Sequence, residues 1–202
     1  MTEFVSPDWD APIDVAKQVR RAPVLGSVRG MFIREILDAV QSAGARLPVA
    51  KRYVSFKKYP LPDYLQVIAD GCALIHPDVS LRRAMRRVGR LTYPNFVKTV
   101  LGKTILAVAG NDFSSVVKLA PKAYRATIKP GDAKVKEKGE RKVVVELRDI
   151  WNFPDSFQVG VWEGALAACK VEGEIKVRSR DLANADLEIT WWSPEDGAPQ
   201  GG

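Results

Sequence analysis

The sequence predicts an α+β fold in which about five N-terminal helices pack on a largely antiparallel sheet of about five strands. Up to about residue 121, apolar side chains recur every three or four residues, which is the spacing of amphipathic helices. After residue 121 they mostly alternate, as in strands, and one helical stretch interrupts the alternation. The predicted order is therefore αααααβββαββ, with helices and strands segregated along the chain as is typical of α+β folds.

The first 28 residues are predicted to form an extended lead-in. Three prolines interrupt any helical period there, so only a short helical turn is expected at residues 14–20. The first amphipathic helix begins near Arg29, and Gly44 lies where a left-handed C-terminal cap is expected. Residues 47–62 are rich in aromatic residues and proline, which favours a connector packed against the body of the protein.

The second and third helices have clear start signals. Pro62 opens the second helix and Pro77 closes it. Ser80 is a suitable N-cap for a third helix over residues 81–91. Five arginines recur in this helix at i, i+1, i+4, i+5 and i+8, so they share one face, which we call the arginine face: Arg82, Arg83, Arg86, Arg87 and Arg90.

Prolines and caps also delimit the fourth and fifth helices. The fourth is predicted to begin at Pro94 and to stop at Gly110. The fifth follows Asp112 as its N-cap and ends before Pro121, because a proline disfavours helical backbone in the residue before it.

The C-terminal third is predicted to be rich in strands. Three strands in a meander come first, at residues 124–128, 133–138 and 142–150. A helix is expected at 154–170, followed by strands at 174–180 and 186–192. Residues 1–192 are thus interpreted as one domain, and the Pro/Gly-rich tail 193–202 as disordered.

Composition excludes several classes of protein. The 202 residues are 46% hydrophobic and 27% charged, which is typical of a globular chain with a substantial core. There is no uninterrupted apolar run of 18 residues and no basic-then-apolar order at the start, so a cytoplasmic protein is expected. Cys72 and Cys169 are interpreted as buried free thiols. With His76 as the single histidine, we expect neither a metal site nor a cofactor, and no catalysis based on histidine.

The net charge of +7 is unevenly distributed. Residues 1–130 carry a net charge of +11, whereas residues 131–202 carry −4. The arginine face is the densest part of this excess. Its guanidinium groups could bind the phosphates of a nucleic acid, contact an acidic protein partner, or simply be solvated.

An aromatic and small-residue segment spans residues 151–164. Its aromatic side chains could line a ligand cavity or a homodimer surface, although an ordinary core is the commoner role of such residues. Small residues at i and i+4 let another backbone approach. The residues of this candidate site are Trp151, Phe153, Phe157, Gly160, Trp162 and Gly164. Asp149 and Asp155 flank the segment and are the candidate carboxylates if the protein is an enzyme.

Six segments together resemble a paralogous domain family of myxobacteria whose function is unknown. They lie at residues 29–32, 52–53, 59–64, 91–94, 119–124 and 151–160, the last reading WNFPDSFQVG. The resemblance extends over about residues 4–192. It implies membership of a family without implying an activity.

The order of helices and strands is also similar to that of a superfamily of ligand-binding domains. This superfamily includes the 4-vinyl-reductase, haem-nitric-oxide-binding and TRAPP trafficking domains, which bind small hydrophobic ligands, haem or partner proteins. The haem branch has a proximal histidine followed by a Tyr-x-Ser-x-Arg motif. Here Tyr124 is followed by neither the serine nor the arginine of that motif, and His76 is the single histidine.

These observations favour a non-enzymatic cytosolic regulatory or signalling module that binds a protein partner or a small hydrophobic ligand. The alternative is binding of nucleic acid or another anion through helix 81–91. A less favoured alternative is an enzyme with a carboxylate site near Asp149 and Asp155.

Overall fold

The computed structural model describes residues 3–49, 51–107, 109–110 and 112–197. Within these residues it contains helices and two antiparallel sheets, which confirms the α+β class. The helices are α1 Val15–Arg21, α2 Gly30–Ser42, α3 Leu61–Ile75, α4 Leu81–Lys98, α5 Val100–Leu106, α6 Phe113–Lys118, α7 Ala120–Thr127 and α8 Phe157–Ala168. The strands are β1 Ser27–Arg29, β2 Lys58–Pro60, β3 Ile128–Lys129, β4 Asp132–Gly139, β5 Lys142–Arg148, β6 Glu172–Ser179 and β7 Ala185–Trp192.

The larger sheet has the strand order β4-β5-β7-β6. Its inner face is apolar, with Val143 opposite Ile189 and Val145 opposite Leu187 in the central pair of strands. The smaller sheet has the order β2-β1-β3 and joins the lead-in, the connector and the end of α7. The sequence did not indicate this smaller sheet, because its strands are only two or three residues long.

The predicted strand at residues 124–128 is wrong, and so is the three-strand meander that began with it. Residues 120–127 form α7, and Pro121 lies in its first turn, where a proline needs no backbone N–H. The alternation of apolar residues was too short to distinguish a strand from a helix. A tertiary contact helps to hold the helical form, since the Tyr124 hydroxyl donates a hydrogen bond to Gln158 Oε1 in α8.

The predicted boundary between the third and fourth helices is also wrong. A single helix, α4, continues through Pro94 to Lys98. A proline inside a helix removes one backbone hydrogen bond and crowds the preceding turn. The turns of α4 before Pro94, up to Arg90, pack closely against α8. The break comes instead at Thr99, whose side chain caps α5 by accepting a hydrogen bond from Gly102 N at 3.0 Å.

Helix α8 lies between α4 and the apolar face of the larger sheet. It is buried on almost all sides, so its apolar residues form no single stripe. Gly160 and Gly164 face α4: a Cβ on Gly160 would lie 2.1 Å from the carbonyl oxygen of Arg86, and one on Gly164 would lie 2.3 Å from that of Arg90. The small-residue ridge therefore permits a close helix–helix contact within the chain.

The lead-in is docked onto the body of the protein. Val5 forms an antiparallel bridge with Val177, with N–O distances of 3.0 and 2.8 Å. Helix α1 corresponds to the helical turn expected at residues 14–20. At the other end, Asp196 pairs with Arg141 at 2.5 Å, while residues 198–202 of the predicted disordered tail lie outside the described residues. The division into one domain and a tail stays a prediction.

Within the described residues, none of the helices is both long enough and apolar enough to cross a membrane.

Candidate functional site

An apolar pocket lies among the helices, between α2, α3 and α4 on one side and α5 to α8 on the other. Its volume is about 100 Å³. Aliphatic residues from β1, β3 and α5 to α8 form part of the lining. Its remaining apolar surface comes largely from six aromatic side chains: Phe32, Tyr64, Tyr93, Phe96, Tyr124 and Trp162.

Three residues that line the pocket each carry a buried polar atom that lies beside a polar side chain without a hydrogen bond of standard geometry; the neighbours are Glu35 for Thr92, Tyr64 for Asn152 and Tyr124 for Trp162. The three atoms are Thr92 Oγ1, Asn152 Oδ1 and Trp162 Nε1. Their residues are only 7%, 6% and 4% exposed, so bulk water does not reach them freely. A buried polar group without a partner costs free energy, and such groups in proteins are generally satisfied by another group or by bound water. Each of the three atoms exposes almost no surface, so these polar contacts lie within the wall of the pocket.

The tyrosines of the pocket are held in their neutral form. Burial raises the pKa of the Tyr64 and Tyr124 hydroxyls well above the ordinary range and that of Tyr93 to about 12. The Tyr124 hydroxyl lies 2.5 Å from Gln158 Oε1 and donates a hydrogen bond to it. These hydroxyls can therefore donate hydrogen bonds, but they are not phenolates near neutral pH.

A partly buried carboxyl group lies between α2 and α4. Glu35 Oε1 accepts a hydrogen bond from Asn95 Nδ2 at 3.3 Å. Burial raises the pKa of Glu35 to about 7. This carboxyl group does not line the pocket, and no described residue that lines the pocket is charged.

The structure separates the aromatic residues that the sequence grouped together. Trp162 lines the apolar pocket, whereas Phe153 and Phe157 are buried in the core beside it. Trp151 lies half-buried in a different, open cleft beside Lys17. Gly160 and Gly164 lie in the contact with α4, not in the pocket lining.

Sequence reasoning missed most of the pocket. Periodicity places Phe32, Tyr64 and Phe96 only on the apolar faces of predicted helices, and it places Tyr124 on a predicted strand. A signal was present, because the stripes of three separate helices each carry aromatic rings. Periodicity alone does not show that such stripes converge on one cavity.

The arginine face is largely engaged in contacts within the chain. Arg83 forms a two-pronged ion pair with Asp10, at 2.8 and 2.6 Å. Arg82 pairs with Asp155 at 2.8 Å. Arg87 is exposed and has no ion-pair partner among the described residues.

The remaining two arginines converge on one carboxylate of α8. Arg86 and Arg90 both contact Glu163, at 2.5 and 2.7 Å. The guanidinium of Arg86 also stacks on the ring of Trp9, 4.4 Å from its centroid. The arginine face therefore joins the lead-in, α4 and α8. Binding of nucleic acid or another anion by this face stays a prediction, which an affinity that falls steeply with salt would support.

The candidate carboxylates each have a separate environment. Asp155 pairs with Arg82, and Glu163 pairs with Arg86 and Arg90. Asp149 is exposed in the turn after β5. In the part of the chain that the structure describes, no three His, Cys, Asp or Glu side chains are grouped so as to hold a metal ion.

Comparison of the chain with protein-family models gives a match over residues 24–192 to a family described as "protein of unknown function (DUF2378)". The chain belongs to this family. The expected membership of a family of unknown function is thereby confirmed, whereas its restriction to myxobacteria stays a prediction. No curated protein matches the chain significantly.

Several solved structures share the fold. An H-NOX protein from S. oneidensis in the Fe(II)NO ligation state is 13% identical, covers 82% of this chain and 99% of its own, and has a TM-score of 0.64. An unliganded Fe(II) H-NOX protein from K. algicida is 16% identical over 82% of this chain and 97% of its own, with a TM-score of 0.55. An oxygen-binding H-NOX domain related to soluble guanylate cyclases is 14% identical, covers 85% of this chain and 97% of its own, and has a TM-score of 0.57.

These likenesses establish an H-NOX-like fold. The expected similarity to haem-nitric-oxide-binding domains is confirmed at the level of the fold. Similarity to the 4-vinyl-reductase and TRAPP domains stays a prediction.

The residues around the pocket do not fit a haem. Haem iron is held in proteins by His, Cys, Met or Tyr, and among the described residues the pocket lining contains none of the first three. His76 caps the end of α3 and is outside the lining. Among the described lining residues, none is charged and able to pair with haem carboxylates. A porphyrin is also far larger than a volume of about 100 Å³.

Proposed function

We propose that this protein is a non-enzymatic, haem-free ligand-binding module that holds a small hydrophobic molecule in the apolar pocket and signals its presence to a protein partner. The observation that carries this proposal is the pocket itself, which is apolar, partly open to solvent and walled mainly by helices. Pockets with mostly apolar walls are typical of small-molecule sites. The fold it shares with H-NOX proteins supports a sensory role.

Helix α4 links the pocket to the surface. On one side it contributes Thr92, Tyr93 and Phe96 to the pocket lining. On the other it carries the arginine face, which holds the lead-in and α8 in place. A ligand that shifts α4 would therefore alter the arginine face, and we propose this face as the contact with an acidic partner. A homodimer and a cytoplasmic location stay predictions.

The proposal is tested by measuring which ligands stabilise the protein. Toluene is a suitable probe, because it is apolar and has a single ring. A ligand at ten times its Kd stabilises the folded state by about 1.4 kcal/mol. For a chain of this length that should raise Tm by about 3–6 °C.

A pocket-filling variant and a matched control locate the site. Ala123 lines the pocket and Ala126 lies on the same helix outside the lining. Ala123→Leu should abolish the stabilisation by toluene, whereas Ala126→Leu should retain it. A titration with haemin, followed by absorption, should show no saturable one-to-one complex. Stoichiometric haem binding, or equal toluene effects in both variants, would contradict the proposal.

A further inference from the structure

We propose that the smaller sheet, with the two turns that precede its strands β1 and β2, forms a docking surface for a lipid bilayer with anionic headgroups. This membrane-docking surface comprises Val24 and Leu25 of the first turn, Phe56 of the second turn, and the cations Lys57, Lys58 and Lys129. It lies outside the pocket lining and goes beyond the proposed function. Two independent observations carry it, namely apolar side chains at the tips of the turns and cations without carboxylate partners.

The first turn presents two aliphatic side chains to solvent. Residues 23–26 form a tight turn, in which Gly26 N donates a hydrogen bond to Pro23 O at 2.8 Å. The two central residues, Val24 and Leu25, are 87% and 95% exposed. Gly, Pro, Asn, Asp and Ser dominate turns because their backbone or side chain favours the turn conformation. Val24 and Leu25 offer no such advantage and bury almost nothing within the chain, so folding does not explain them.

The second turn presents an aromatic side chain in the same way. Residues 54–57 form a turn closed by a hydrogen bond from Lys57 N to Val54 O at 3.1 Å, and Phe56 at its tip is 73% exposed. Strands β1 and β2 are antiparallel, and each turn directly precedes its strand. The two turns therefore lie at opposite ends of the smaller sheet.

The cations lie between the two turns, on the outer side of the smaller sheet. Val28 and Ile128, which are opposite each other in this sheet, are buried and line the pocket. Side chains alternate between the two faces of a sheet, so Lys58 and Lys129 project to the outer side, where both are exposed. In the described part of the chain, neither lysine pairs with a carboxylate.

Further cations extend this positive charge beyond the sheet. Arg20 and Arg21 end α1 just before the first turn, and both are exposed. Neither arginine has an ion-pair partner among the residues that the structure describes. The acidic residue closest in sequence to β2 is Asp63, and it is paired with Lys51. The surface therefore carries an excess of positive charge.

An anionic bilayer matches both features of this surface. Lys and Arg side chains are attracted to anionic headgroups, and apolar side chains gain from burial at the boundary with the acyl chains. An apolar anchor alone gives only marginal binding, whereas a cationic patch beside it makes the binding stable. A nucleic acid would also attract the cations, but it offers no apolar phase to Val24 and Leu25. The observations therefore favour the bilayer.

Binding is measured by co-sedimentation of the full chain with vesicles of phosphatidylcholine, with or without about 30% phosphatidylserine. The wild type should bind the anionic vesicles at least about tenfold more tightly than the neutral ones, and about 0.5 M NaCl should weaken this binding. Val24→Ser/Leu25→Ser should weaken it about tenfold or more, and so should Lys58→Glu/Lys129→Glu.

Matched controls lie outside the membrane-docking surface. Val100 on α5 is 83% exposed, so Val100→Ser controls for the loss of an exposed aliphatic side chain. Lys138 and Lys170 are exposed, so Lys138→Glu/Lys170→Glu introduces the same change in net charge elsewhere. Both controls should change vesicle binding less than about twofold. All the substituted side chains are exposed, so each variant should keep the wild-type Tm within about 2 °C.

A fluorescent label tests the insertion of the first turn directly. Cys72 and Cys169 are buried, so Leu25→Cys and Val100→Cys each add one reactive thiol for an environment-sensitive fluorophore. The emission from position 25 should shift to the blue on anionic vesicles, because the label enters an apolar phase. The emission from position 100 should not shift.

Three results would overturn the proposal: no sedimentation with anionic vesicles, equal losses in the controls and the surface variants, or no emission shift at position 25. Tighter binding to duplex DNA than to anionic vesicles, undiminished in Val24→Ser/Leu25→Ser, would also overturn it and would assign the cations to nucleic acid. Selective loss of vesicle binding in the two surface variants supports the proposal, whatever ligand occupies the apolar pocket.

Discussion

Replacement of Gly160 by alanine should destabilise the protein, because α4 and α8 approach each other at this residue. A Cβ at position 160 would lie 2.1 Å from the carbonyl oxygen of Arg86, whereas ordinary contacts begin at 3.4 Å. The two helices must therefore separate by up to about 1.3 Å at this point. The obstructing atom belongs to the backbone of α4, so rotation of a side chain cannot relieve the clash.

The expected magnitude combines two opposing effects. Overpacking a well-packed interior typically costs about 1–3 kcal/mol, and a clash with backbone belongs at the upper end. Alanine is a better helix former than glycine by about 1 kcal/mol, which offsets part of the cost. The net loss in the free energy of unfolding should thus be about 2 kcal/mol or more. For a chain of this length, Tm should fall by about 4–8 °C.

The assay is thermal unfolding followed by circular dichroism, with Gly139→Ala as the matched control. A Cβ at Gly139 would meet only Lys142 Cβ, at 3.9 Å. The control should stay within about 0.5 kcal/mol of the wild type. If Gly160→Ala melts at or above the wild-type temperature, the described α4–α8 contact is wrong.

Three further predictions concern buried or paired charges. Burial raises the pKa of Glu35 from 4.5 to about 7, so its contribution to stability is complete below pH 4.5 and is lost as pH rises through 7. The free energy of unfolding of Glu35→Gln, measured in urea, should therefore equal that of the wild type at pH 4 and exceed it by about 2 kcal/mol at pH 8. A difference between the two proteins that does not change with pH would refute this prediction. Asp186→Asn should lower the free energy of unfolding by about 2 kcal/mol, because three arginines share this buried carboxylate; an unchanged urea midpoint would contradict it. Arg86→Ala should lower Tm, since it removes a two-pronged contact with Glu163, whereas Arg87→Ala should leave Tm within about 2 °C of the wild type.

The sequence was sufficient for the elements whose patterns are long and locally determined. The helix of residues 61–75 begins with a proline in its first turn, and its apolar stripe continues for four turns. The left-handed cap at Gly44, with φ of 76°, is also as predicted. Strands β5 and β7 alternate clearly over seven or eight residues, so their existence followed from periodicity alone.

The errors arose where tertiary contacts override local signals. Pro94 is expected to interrupt a helix, but α4 continues through it, and the turns before it, up to Arg90, pack closely on α8. Residues 120–127 alternate like a strand, yet Tyr124 reaches across to Gln158 from a helix. Local patterns contain no information about which helix lies alongside.

The candidate site was only partly predictable for the same reason. Trp162 was identified from its aromatic neighbourhood, and it does line the pocket. Phe32, Tyr64 and Phe96 come from three other helices, and their convergence depends on how those helices pack. The sequence also did not indicate the partners of the arginine face. Asp10 pairs with Arg83 and Glu163 with Arg86, and in each pair the two residues are more than 70 positions apart.

The most direct test of the account is a crystal structure of the protein soaked with bromobenzene, in which bromine replaces the methyl group of toluene. Data collected at the bromine absorption edge locate the ligand without ambiguity. The account predicts a single strong anomalous peak among Phe32, Tyr93 and Trp162, inside the apolar pocket. A pocket without bromine at saturating bromobenzene, or bromine only at surface sites, would contradict the claim that this chain is a haem-free module that binds a small hydrophobic molecule in this pocket.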